Sequence, residues 1–364
     1  MGRNLAIDRL RTAMMCVVMF GHAMLPYVTI PRRFNDPAAH IAFDSAGVLL
    51  YAFAMPAFFV TAGFSAAALY RRRGALSFWR NRAFRIGLPL VVGYLVLTPL
   101  TRAAYQFAAA AAETGTLTAG WEAITTLDWM RYSKLYHLWF LASLILFSAL
   151  NHAMIGALRR LPKQLTGQNE NVSDLGIVVF IITINSVLMT FSYADGTGQG
   201  TDLPVQLSLL TYFVAGWWLA SNTHFLARLQ KLPPSTFSLF LVLVPLCVWS
   251  SRERLLAEDQ TDWLFGALAG TSNAFIGVLA TIGLLSFFER HFAKDSVIAD
   301  YLGNASYWVY LVHYPVIVLA GGIVSVLYYP AAVKYALTLL IAVPIIVGSF
   351  EAVRRWQTHK LRNA

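Results

Sequence analysis

About ten uninterrupted apolar runs divide this chain, each near the roughly 20 residues that a helix needs to cross a ~30 Å hydrocarbon layer. They cover 9–30, 44–70, 86–107, 135–158, 174–193, 203–222, 236–250, 264–288, 306–328 and 335–354, the seventh and tenth being short and carrying Pro245 and Pro344. Of the 364 residues, 57% are apolar and 13% charged, more apolar side chain than a soluble core of this size can take in. The pattern predicts an all-α, polytopic transmembrane bundle. It forms a single domain over 1–364 with no extramembrane catalytic domain, because the longest loop, 108–134, holds about 27 residues.

The net charge of +10 brings nucleic acid to mind, but the placement of the charge decides otherwise. With the N-terminus inside, one side of the membrane collects 20 of the 28 basic residues and 7 of the 18 acids, for +13 against −3 opposite. Arg3, Arg9, Arg11, Arg159, Arg160, Lys163 and Lys231 are among those 20. Positive-inside bias puts both termini in the cytoplasm, which requires an even number of spans. The first run follows its arginines as a signal peptide would, yet it is long and lacks a cleavage site, so it reads as a retained anchor. Cys16 and Cys247 fall inside apolar runs and are no disulfide staple. The chain shows no internal repeat, which disfavours a secondary transporter.

Ionisable groups inside a bilayer are functional candidates, because hydrocarbon penalises them by a few kcal/mol or more. Of the eight histidines, only His22 and His313 fall deep in a run, while His137 opens the fourth run at its outer mouth. On the first run, Arg11 and His22 are eleven steps apart, which returns a helix almost to the same azimuth about 16 Å further along. One strip thus joins a boundary guanidinium, suited to phosphate, with an imidazole, suited to proton transfer. A snorkelling topology signal and a packing hydrogen bond are the alternatives for these two residues.

The second cytoplasmic loop holds Arg71, Arg72, Arg73, Arg80, Arg82 and Arg85, and helical spacing puts Arg82 and Arg85 on one face. A polyphosphate ligand fits this density, and so does attraction to anionic headgroups. On the ninth run, Ser306, Tyr310 and His313 step by four and three, making one polar stripe that leads to about the depth of His22. His137 and Trp139, in His-Leu-Trp-Phe-Leu, offer a carbohydrate an imidazole and an indole. Pro56 and Gly63 read as a kink and a close-packing point, and Asn185, Asn273 and Arg102 as packing or interface residues. No cluster of His, Asp, Glu or Cys has metal-ligand spacing.

Together these segments resemble the acyltransferase-3 family of integral membrane acyltransferases. Its Arg, ten residues, His signature corresponds to Arg11 and His22, with Asp8 three before the Arg. Its Phe-x-x-x-Arg-x-x-Arg-Ile-x-Pro loop is matched by Phe78, Arg82, Arg85, Ile86 and Pro89. The run MPAFFVTAGF is similar to the family's Pro-x-Phe-Phe-x-x-Ser-Gly-Phe, except that Ala62 replaces the Ser and removes its hydroxyl. The segments at 137–141 and 304–315 look most like a branch linked to succinylation of osmoregulated periplasmic glucans.

The resemblance implies transfer of an acetyl or succinyl group from cytoplasmic acyl-CoA, across the bacterial inner membrane, to a hydroxyl of an extracytoplasmic glycan. Arg11, Arg82, Arg85 and Ser306 are expected to bind the donor. His22 is expected to act as general base or transient acyl acceptor, aided by His313 and Tyr310, with His137 and Trp139 at the acceptor. Acyl-CoA is the only co-substrate and no metal is implied. The partners expected are the donor, the carbohydrate and membrane lipid, with homo-oligomerisation left open. A transporter or flippase for an anionic or lipid-linked solute is the rival reading.

Overall fold

The computed structural model describes residues 4–130, 134–158, 174–194, 201–229, 238–256 and 263–362. Arg3, Arg159, Arg160, Lys163 and Lys231, counted in the charge distribution, lie outside them. Among the described residues all regular structure is helical: α1 (Leu5–Met24), α2 (Ile41–Arg82), α3 (Leu88–Thr114), α4 (Leu117–Thr125), α5 (Trp139–Leu158), α6 (Asp174–Ala194), α7 (Leu203–Leu219), α8 (Thr223–Leu229), α9 (Phe240–Leu256), α10 (Trp263–His291), α11 (Val297–Ser325) and α12 (Ala331–Arg362). Among the described residues, six helical segments are long and apolar enough to cross a membrane, the longest of them Ile41–Thr114. That segment is interrupted at Gly74, where φ 72° and ψ 175° suit a residue without a Cβ, and a π turn over Ala83–Gly87 leads into α3. The chain is an all-α integral membrane protein.

The first helix is shifted from the run 9–30. It starts at Leu5 because Asn4 caps it, its Oδ1 accepting from the Ile7 amide at 3.1 Å, and Asp8 complements the positive end of the helix. It stops at Met24 because Pro26 has no N–H to continue it, and a 3-10 turn follows over Leu25–Tyr27. Hydropathy alone discards a charged first turn and retains an apolar loop, which explains both shifts.

The helices form two compact units, the first made of Met1–Met14, Val48–Pro89 and Trp139–Lys294 and the second of Met15–Gly47, Leu90–Leu138 and Asp295–Ala364. In the first unit, α10 packs on α6 and α9. Small residues allow its closest crossings: Gly63 faces the Phe213 carbonyl, Gly216 that of Val60, and Gly270 the backbone of Thr190, so a Cβ at any of them would overlap main chain. Asn185 is buried and bonds Thr211 and Ser208, a polar tie between α6 and α7, as a packing residue would.

In the second unit, α11 packs on α12, and Gly322 lets α11 approach α3, since a Cβ there would stand 2.7 Å from Cα of Ala108. Phe34, Ala104, Ala108, Tyr314 and Val318 form a core between these elements. The loop from α1 to α2 is held throughout by hydrogen bonds. The Thr29 amide donates to Asp44 at 2.7 Å, the His40 amide to the Tyr27 carbonyl at 2.9 Å, and Asn35 Nδ2 to the carbonyls of Val28 and Ile30 at 2.8 and 3.1 Å. Lys334 on α12 anchors the loop, its ammonium donating to both oxygens of Asp36 at 2.8 and 3.1 Å and to the Ser325 carbonyl at 2.9 Å. The side chains of this pair are 3% and 0% exposed, so each charge depends on the other.

Candidate active site

The site in the second unit begins with a defect in a helix. Pro315 has no N–H, so the carbonyl of Leu311 on α11 loses the donor that an α-helix would supply four residues on. His137 fills the vacancy, with Nε2 3.0 Å from the Leu311 carbonyl oxygen. A carbonyl only accepts, so His137 carries its proton on Nε2 and presents a lone pair on Nδ1. That Nδ1 is buried and has no hydrogen-bond partner among the described residues. The turn that carries the ring, Tyr136–Leu138, is fixed from below by the Tyr310 hydroxyl, which donates to the His137 carbonyl at 2.7 Å.

The same reasoning fixes the other two imidazoles. His313 Nδ1 lies 2.7 Å from the Tyr310 carbonyl and 3.0 Å from that of Val309, so Nδ1 bears the hydrogen and the neutral ring accepts at Nε2. That Nε2 is 2.9 Å from Nδ1 of His22, which must therefore donate. The chain of constraints leaves the lone pair of His22 on Nε2, for which the described residues supply no partner. His313 is fully buried, whereas His22 is half-buried at the end of α1 and remains accessible.

The rings of His22 and His313 stack with centroids 5.1 Å apart, and His137 stands edge-on to His313 at 5.3 Å. Tyr314 meets His22 edge-on at 4.6 Å, and its hydroxyl pairs with that of Tyr105 on α3 at 2.9 Å. Three imidazoles and two phenols from α1, α3, α11 and the turn before α5 thus converge. Such a cluster can accept a proton at one defined atom and bind a hydroxyl at another. Among the described residues no group of His, Cys, Asp and Glu could hold a metal ion.

The expected site residues fall into distinct settings. His22 and His313, expected only at one depth, touch directly. Tyr310 supports the turn beneath His137 and acts on the imidazoles through it. His137 is 4% exposed, packed against His313 and held by the Leu311 carbonyl. Ser306 turns back on its own helix, donating to the Gly303 carbonyl at 2.7 Å. Trp139 belongs to the first unit, where it packs 6.4 Å from Phe59 and lines a cavity with Tyr51, Met55, Pro56 and Tyr212.

The arginines also belong to the first unit. Arg11 pairs with Asp8 at 3.4 Å and lies within electrostatic reach of Arg82, so two guanidinium groups repel each other there. Arg82 stacks over Phe78 at 4.9 Å, and its Nε is buried without a hydrogen-bond partner among the described residues. Arg85 is exposed on the π turn, whereas Arg82 at its start is half-buried. Arg9, which the sequence assigned to topology, is buried and donates to the Phe292 carbonyl at 2.6 Å, with Nε and one terminal nitrogen unpartnered among the described residues.

Sequence reasoning missed Tyr105, Tyr314 and the contact of His137 with His313. Pro315 held a readable signal, since a proline within a helix announces an orphan carbonyl.

The acyltransferase-3 model, described as an acyltransferase domain, matches residues 4–350. The chain belongs to that family. It is a membrane acyltransferase. Relatives include Glucans biosynthesis protein C of Escherichia coli O1:K1 / APEC and of Escherichia coli strain K12, each 21% identical over 332 residues that cover 89% of this chain and 84% of the relative. No solved structure matches the acyltransferase.

Proposed function

We propose that this acyltransferase moves an acetyl or succinyl group from cytoplasmic acyl-CoA to a hydroxyl of an extracytoplasmic glycan. It would do so in the bacterial inner membrane through ten spans, with both termini in the cytoplasm. The observation that carries the reading is the hydrogen bond from His22 to His313, which leaves an accessible lone pair on Nε2 of His22.

An acceptor hydroxyl gives its proton to that Nε2 as its oxygen attacks the thioester carbonyl carbon; the C–S bond breaks, and the proton passes from His22 to the departing thiolate. While His22 carries the extra proton, its Nδ1–H bond to His313 strengthens, and the Val309 and Tyr310 carbonyls support the charge from the far side of His313. The unshared Nδ1 of His137 receives a hydroxyl of the acceptor. Arg11 and Arg82, close and mutually repelling, gain from the phosphates of the donor, which remove the repulsion. The name of the relatives, Glucans biosynthesis protein C, supports a glucan as acceptor.

The test is CoA release from radiolabelled succinyl-CoA and acetyl-CoA by protein purified in lipid nanodiscs, with and without a gluco-oligosaccharide. The reading expects thiol release coupled to a labelled saccharide, lost in His22→Gln. A transporter or flippase expects no thiol release at all.

A further inference from the structure

From the imidazoles a file of phenols continues to the loop between α1 and α2. Tyr314 bonds Tyr105, Tyr105 stacks on Tyr136 with centroids 5.9 Å apart, and the Tyr136 hydroxyl accepts from Arg33 at 3.2 Å. Arg33 also lies 5.7 Å from the centre of the Tyr136 ring, and Arg32 is within electrostatic reach of the Tyr105 and Tyr314 hydroxyls.

Three features set this file apart from ordinary packing. Tyr136 has φ 44°, in the left-handed region where a bulky residue is strained, and strain of this kind gathers at ligand clamps. Arg32 and Arg33 are both exposed and adjacent, and among the described residues neither has a carboxylate partner. The acids nearest in sequence are engaged elsewhere, Asp36 by Lys334 and Asp44 by Thr29, and those bonds hold the loop that presents the two arginines.

We propose that Tyr105, Tyr136, Tyr314, Arg32 and Arg33 form the acceptor subsite, and that the acceptor it selects is a saccharide bearing a phosphate or carboxylate. The proposal rests on the acyl-transfer reading and names its acceptor class. Tyrosine faces and hydroxyls suit a sugar ring, which is apolar on one face and hydroxylated at its edges. The planar forks of the arginines suit an oxyanion, and one of them is already oriented by Tyr136. Tyr314, in ring contact with both His22 and His137, joins this subsite to the imidazoles.

The experiment measures binding, so that it stands whether or not turnover is detected. A glucotetraose and the same tetrasaccharide carrying one phosphate monoester are titrated calorimetrically into the full chain, in nanodiscs of phosphatidylcholine and of phosphatidylglycerol. The phosphorylated sugar is expected to bind about tenfold more tightly than the neutral one in both lipids, as a charge-assisted contact partly screened by water would give. In Arg33→Gln the two affinities are expected to converge, and in Arg33→Lys about half of the free-energy difference is expected to remain. Tyr136→Ala is expected to weaken both sugars. Equal affinity of the intact protein for the two sugars overturns the proposal, as does a difference that survives Arg33→Gln. A preference erased by phosphatidylglycerol assigns the arginines to lipid headgroups and overturns it too. Absence of CoA release with sugar binding intact would instead remove the acyl-transfer reading.

Discussion

Nδ1 of His22 and Nε2 of His313 lie 2.9 Å apart although 291 positions separate them in the chain. Two helix carbonyls dictate the direction of this bond. They hold the His313 proton on Nδ1, make its Nε2 an acceptor, and leave His22 with one free lone pair. His22→Gln keeps a hydrogen-bonding side chain but removes basicity, so it is expected to lower kcat by about a hundredfold to ten-thousandfold while the protein still inserts and melts normally. Initial rates of CoA release beside a nanodisc melting curve check this.

Pro315 links helix geometry to catalysis. Pro315→Ala restores an N–H that competes with His137 for the Leu311 carbonyl. The helix gains a hydrogen bond and the site loses the bond that positions its third imidazole. The melting temperature is expected to stay level or rise, while kcat falls about tenfold with little change in the KM for donor. A variant as active as the parent would show that His137 is held by other contacts.

Much of this fold was legible in the sequence because bilayer crossing imposes a length and a composition that few other demands impose. The same logic located His22 and His313 at one depth, since rise per residue is fixed in a helix. What it could not supply was azimuth and neighbour order, so their contact was not foreseeable. Tyr105 and Tyr314 stayed hidden because tyrosine is common at membrane interfaces and carries no spacing signature. Lys334 stood at the edge of the last run, where a lysine reads as an interface residue, and its partner Asp36 is 298 positions away.

The Asp36 and Lys334 pair fixes the loop that carries Arg32 and Arg33. Lys334→Met leaves a buried carboxylate without its cation and is expected to cost about 3–5 kcal/mol of stability. Combining Asp36→Leu with Lys334→Met removes both charges and is expected to recover most of that loss. Thermal melts of the two variants decide it, and a double variant no more stable than the single would show that the loop depends on the pair for more than charge balance.

Arg82→Ala is expected to raise the KM for acyl-CoA about tenfold with a smaller effect on kcat, because phosphate binding is remote from the reacting carbon. Arg82→Lys is expected to recover part of the loss, since an ammonium lacks the bidentate fork. Steady-state kinetics with varied donor separates these effects. An unchanged KM in Arg82→Ala would assign this arginine to orientation in the membrane.

The measurement that bears most directly on the central claim is kcat for His22→Gln, His313→Gln and the variant carrying both, each in nanodiscs and each checked for insertion. If His313 acts only by orienting and supporting His22, removing both costs no more than removing His22 alone. That is the expected result. Losses that multiply in the double variant would mean that the two imidazoles act independently, and would contradict the assignment of a single base held by its neighbour.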